Sequence, residues 1–128
     1  MSNPIRTATT ALLGLAAAAA GGALLLSAPE ATAAALAPST VTIQAEGTDL
    51  FGKVNSTRAL CKADRNVIVY KQVGVRGGGN DIRFAMDTTD SDGDWNTGNT
   101  GTEGRFYAKV TKNSQCNADF SPTIRATR

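Results

Sequence analysis

The chain has 128 residues, with 13 Lys/Arg against 11 Asp/Glu, a net charge of +2 and no His. Without His there is no Ser-His-Asp triad, no imidazole general base and no ordinary catalytic zinc site. Charges of both signs are interspersed along the chain, which argues against nucleic acid, a partner that needs a clustered basic face.

The N-terminus reads MSNPIRTATT, with Arg6 and no acid, followed by an apolar run from Ala11 to Ala28 and small residues from Pro29 to Pro38. A charged start, an apolar middle and an A-x-A ending make a secretory signal peptide. Cleavage is expected after Ala31-Thr32-Ala33; Ala35-Leu36-Ala37 also fits, but Pro38 would follow that cut. The 18-residue run lies at the lower edge of what spans a bilayer, and its Ala and Gly make it weakly hydrophobic. No stable membrane insertion is expected after cleavage. The expected organisation is a signal peptide over residues 1–33, a short linker over 34–39 and one exported domain over 40–128.

Within that domain the apolar residues alternate with period two. Thr40 to Glu46 alternates Val41, Ile43 and Ala45 against polar neighbours and predicts a half-buried strand. Leu50 to Asn55 predicts a second strand, with Gly52 inside it marking a bulge or close backbone approach. Ser56 to Arg65 is a polar connection, and Arg58, Lys62 and Arg65 read as a solvated basic loop beside Cys61. Asn66 to Gln72 is a β-branched run ending in Tyr70. Gly74 to Asp81, with Gly77-Gly78-Gly79, reads as a hairpin loop. Ile82 to Thr88 is a strand that enters the acidic corner Thr89 to Asp94 and leaves through Trp95 to Thr97. Arg105 to Lys112 is a strand with Phe106, Ala108 and Val110 inward. Asp119 to Thr127 is the last strand, demoted to an edge by Pro122. Seven short strands and no helical periodicity after the signal segment predict an all-β, two-sheet antiparallel sandwich, transthyretin-like or Ig-like.

Cys61 and Cys116 are the only cysteines. An even count in an exported chain reads as a disulfide. Closing so long a loop is worth roughly 4 kcal/mol in the chain-entropy model. A zinc site would have to use two Cys and carboxylates, and a Cys nucleophile would lack a His base.

Thr88-Thr89-Asp90-Ser91-Asp92-Gly93-Asp94-Trp95 resembles the T-D-x-D-G-x-aromatic corner of transthyretin-like, carboxypeptidase-regulatory-like sandwiches. Phe51-Gly52-Lys53-Val54 looks like their early G-x-V strand, and Arg65 to Tyr70 like the strand that follows. Taken with its two Cys, residues 40–128 are similar to small secreted proteins of high-GC Gram-positive bacteria. The resemblance implies a sandwich fold and an accessory, adhesive or carbohydrate-binding role, by analogy alone.

Asp90, Asp92, Asp94 and Asn96 place oxygens at alternate positions, as a calcium loop does. Yet Gly93 holds the fourth loop position instead of the sixth, Gly101 stands where a bidentate Glu is required, and Glu103 is two residues late. The competing reading is a β-turn whose acids stay solvated. Three acids on one turn sit too close together to flank a glycosidic bond. The expected function is a non-enzymatic binding or structural module that needs no cofactor, with another extracellular protein or a cell-wall polysaccharide as partner. For the polysaccharide, Trp95, Tyr70 and Tyr107 are the candidate ligand-facing rings, although a lone Trp is also worth most when buried.

Overall fold

The computed structural model describes residues 35–128, so the signal-peptide and cleavage-site expectations lie outside the described residues. The strands are β1 (Ser39–Val41), β2 (Gln44–Glu46), β3 (Asp49–Ser56), β4 (Asn66–Lys71) and β5 (Ile82–Thr88). They continue with β6 (Asp94–Asn99), β7 (Gly104–Val110), β8 (Asp119–Phe120) and β9 (Ile124–Ala126). A single 3-10 turn, Ala59–Cys61, precedes β4. Among the described residues no helix is long and apolar enough to cross a membrane.

The strands form two antiparallel sheets. Sheet I runs β9-β7-β4-β5, with β8 also on β7; sheet II has β1 and β2 on one side of β3 and β6 on the other. Inward residues of both sheets, among them Leu50, Val54, Val67, Val69 and Phe106, close into one core. The predicted two-sheet sandwich is therefore the fold.

Two predicted strands are each divided in two, and both divisions have a local cause. Thr40 to Glu46 breaks at Thr42-Ile43, opposite Gly52. A Cβ on Gly52 would collide with the Thr42 carbonyl and come within 2.8 Å of Trp95 Cζ2. Thr42 Oγ1 instead accepts from the Lys53 N–H at 3.0 Å, a side chain replacing a ladder carbonyl. Gly52 is thus the close backbone approach its position in the strand predicted. The last strand breaks at Ser121-Pro122, where Pro cannot donate. Ser121 Oγ accepts from Ala108 N at 2.8 Å and keeps that end of the ladder satisfied.

The linker expected at 34–39 is corrected. Ala37 is buried against the disulfide, accepts from Asn117 N and donates to Gln115 O, both at 2.9 Å. Ser39 already belongs to β1. A chain beginning at Pro38 is expected to lose about 2 kcal/mol relative to one beginning at Ala34, from two backbone hydrogen bonds and a buried methyl. Thermal melts of the two purified forms should differ by several degrees.

Trp95 crosses onto Gly52 in register and is only 2% exposed. Its indole Nε1 is buried with no hydrogen-bond partner. Trp95→Phe is therefore expected to cost less than about 1.5 kcal/mol, because lost packing is offset by removing an unsatisfied donor. A loss of more than about 3 kcal/mol in urea unfolding would mean the N–H is satisfied in solution.

Candidate functional site

The acidic corner is held by its own backbone. Asp90 O accepts from Gly93 N at 3.0 Å, which closes the turn. Asp90 Oδ1 accepts from Asp92 N at 2.9 Å and Asp94 N at 3.0 Å. Gly93 has φ +89°, and a Cβ there would collide with the Val54 carbonyl, so Gly is required. Asp94 pairs with Lys53 at 2.8 Å, the one ion pair among the described residues, and that bond raises the Lys53 pKa. The three carboxylates approach within 4.8 Å of one another and all are exposed. Asn96 is not of this group; its Oδ1 turns to Gly98 N at 2.6 Å. The oxygens of Asp90, Asp94 and Asn96 serve the turn, an ion pair and the next bend. Of the four calcium candidates, Asp90, Asp92 and Asp94 thus share the β-turn as exposed acids, and Asn96 serves the next bend. A shallow cavity of about 440 Å³ lies alongside, between Phe51, Asp87, Asp94 and Asn96.

The three rings expected to face a ligand do not form a platform. Trp95 is core, as above. Tyr107 is 5% exposed. Tyr70 stacks on it with ring centroids 5.3 Å apart, and the Arg76 guanidinium covers it at 4.1 Å. Its hydroxyl donates to Asp81 at 2.6 Å. Only Tyr70 stays half-exposed. Both Trp95 and Tyr107 are thereby corrected from ligand-facing to packed residues, because each is worth more as buried area than as an exposed plane.

Burial, then the bond to Asp81, pushes the Tyr107 phenol up from 10.0 to about 12. A pKa raised in the fold stabilises it fully below the unfolded value and loses that contribution as pH climbs through the folded one. Stability is accordingly expected to fall as pH rises from about 10 toward 12. In Tyr107→Phe this alkaline limb should flatten. Urea midpoints across that range, with tyrosinate absorbance showing one late phenol, check it.

The outer face of sheet I carries what the sequence did not reveal. Register places Met86, Ile68, Lys109 and Phe120 in one row across β5, β4, β7 and β8. Arg83, Tyr70 and Tyr107 form the next row, and Arg105 and Arg125 stand directly opposite each other. Met86 is 55% and Phe120 52% exposed. The loop between β4 and β5 folds back over this face. Arg105 donates to Gly74 O, and Arg76 to Thr123 Oγ1, both at 3.1 Å. Five cations thus meet on one face: Arg76, Arg83, Arg105, Lys109 and Arg125. Among the described residues of these strands and of the β4–β5 loop, Asp81 is the one acid on it. The bond from Tyr107, then those from the Gly77 and Val73 N–H groups, holds its carboxyl below the usual range. Charges interspersed in sequence are segregated in space, because alternate residues of paired strands share a face.

Arg65 departs from the solvated loop expected of it. It is 1% exposed, and its guanidinium donates to Cys61 O at 2.7 Å and Ser39 Oγ at 2.9 Å. It also donates to Thr111 O and Asn117 O, each at 2.9 Å. Burial lowers its pKa. It is a structural hub that ties four segments together.

No protein-family model matches this chain, and no curated protein matches it.

Proposed function

We propose that this chain is a secreted, non-enzymatic binding module of the transthyretin-like sandwich kind, acting through the outer face of sheet I. The observation that carries the reading is that face itself: Met86 and Phe120, each more than half exposed, bracket Ile68 and Lys109 in one cross-strand row. Exposed apolar residues gathered on one rimmed face mark an interaction surface more than scattered ones do. The disulfide supports export, since such bonds persist in oxidising compartments. The absence of His leaves the chain without the usual general base.

A protein partner is favoured over a polysaccharide, because two of the three rings the sugar reading relied on, Trp95 and Tyr107, are packed away. The test is capture of extracellular proteins and of insoluble wall polysaccharide by the folded chain. Met86→Ser with Phe120→Ser should abolish capture while leaving the melt within about 1 kcal/mol, as for exposed positions. Capture that survives this double substitution would move the working surface elsewhere.

A further inference from the structure

The outer face of sheet II is the electrostatic counterpart of sheet I. Outward positions of β2, β3 and β6 carry Glu46, Asp49 and Asp94, and Asp90 and Asp92 cluster with Asp94. Lys53 is the only cation among them, and it is already paired with Asp94. Five acids with one base on sheet II therefore oppose five bases with one acid on sheet I.

Each face also holds a like-charge pair in direct register. Arg105 faces Arg125 on sheet I, and Glu46 faces Asp49 on sheet II. Like charges directly opposite destabilise an antiparallel pair, and within the described residues neither pair is neutralised by a counter-ion. Both pairs lie at the same end of the sandwich, since the turn at Gly47 lies against Thr127, the residue after β9. A copy stacked front to back can therefore present its Arg105–Arg125 pair to the Glu46–Asp49 pair of the next.

We infer that the occupant of the basic face is a second copy of this chain, docked through its acidic face. This deepens the proposed function and rests on its reading of sheet I as the working surface. The contact is heterologous, front to back, so every assembly ends in one free face of each sign and grows as an open stack. The apolar row Met86 to Phe120 meets the half-buried Phe51 side of sheet II. Charge supplies orientation and rejects face-to-face pairing, in which like signs would meet.

Sedimentation of the folded chain over a range of concentrations tests this. Stacks are expected at low ionic strength and monomers in about 1 M salt, where the Debye length shrinks to about 3 Å. Arg105→Glu with Arg125→Glu should be monomeric alone, and Glu46→Lys with Asp49→Lys likewise. Each keeps a like-charge pair, so both should fold as the parent does, which a melt checks; Gln replacements serve if one does not. An equimolar mixture of the two should assemble again, because reversed faces meet reversed faces. A parent chain that stays monomeric at every concentration and low salt overturns the inference. So does a mixture that fails to assemble. Binding of a polyphosphate probe to the basic face of a persistently monomeric chain would overturn it in favour of an anionic polymer. Capture of other proteins by a parent chain that never stacks would reject self-association while leaving the binding-module reading standing; stacks formed by a parent chain that captures no other protein would do the reverse.

Discussion

Arg65→Met is expected to cost about 4 kcal/mol, because the buried acceptors Ser39 Oγ and Cys61 O are left unsatisfied at about 1–3 kcal/mol each and the part-buried Thr111 and Asn117 carbonyls also lose a donor. The four belong to separate segments: Ser39 on β1, Cys61 at the 3-10 turn, Thr111 after β7 and Asn117 before β8. Methionine fills much of the volume but replaces none of the bonds. Arg65→Lys should fall between parent and Met, since one ammonium cannot reproduce a planar fork reaching four oxygens. The backbone N–H of Arg65 donates to Thr89 Oγ1 at 2.9 Å in either variant, so β4 keeps its start. Urea unfolding with the disulfide intact measures the loss. A change below about 1 kcal/mol would mean that water enters and satisfies the four oxygens.

What made the sheets legible is strand-local. Val41, Val67, Val69, Phe106 and Val110 fall on period two, and inward Phe106, Ala108 and Val110 emerge as core. What stayed hidden depends on partners distant in sequence. The break at Thr42 exists because Gly52, ten residues on, lets the Thr42 carbonyl into the space of a missing Cβ. Arg65 stands between Asp64 and Asn66 with no local sign that Thr111 and Asn117 will converge on it. The bulge between Val69 and Tyr70 in the β4–β5 register turns Arg83 to the same side as Tyr70. Without that register, neither the basic face nor its acidic counterpart can be separated from a chain of alternating signs. The corner is the intermediate case. Asp92-Gly93 announced the turn, while the Asp90 side-chain bonds that hold it and the Asp94–Lys53 pair across β3 and β6 were not announced.

Cys61→Ser with Cys116→Ser is expected to lose about 4 kcal/mol, the chain-entropy value for a closure of 55 residues. The loop it closes holds β4, β5, β6 and β7, which is most of sheet I and one strand of sheet II. Both Cys are fully buried and Ala37 packs on them, so two serines also place hydroxyls where no partner waits. The carbonyl of Cys61 is an acceptor of Arg65, so bridge and hub restrain the same junction. Their effects should therefore not add: the triple variant is expected to lose less than the sum, by about 0.5–3 kcal/mol. Thiol titration of the unfolded, unreduced parent should find no free Cys, and the urea midpoints of the four chains complete the cycle. Full additivity would mean that bridge and hub are independent. A loss of under about 1 kcal/mol on removing both Cys would assign the junction to Arg65 alone and leave the bridge without a share in equilibrium stability.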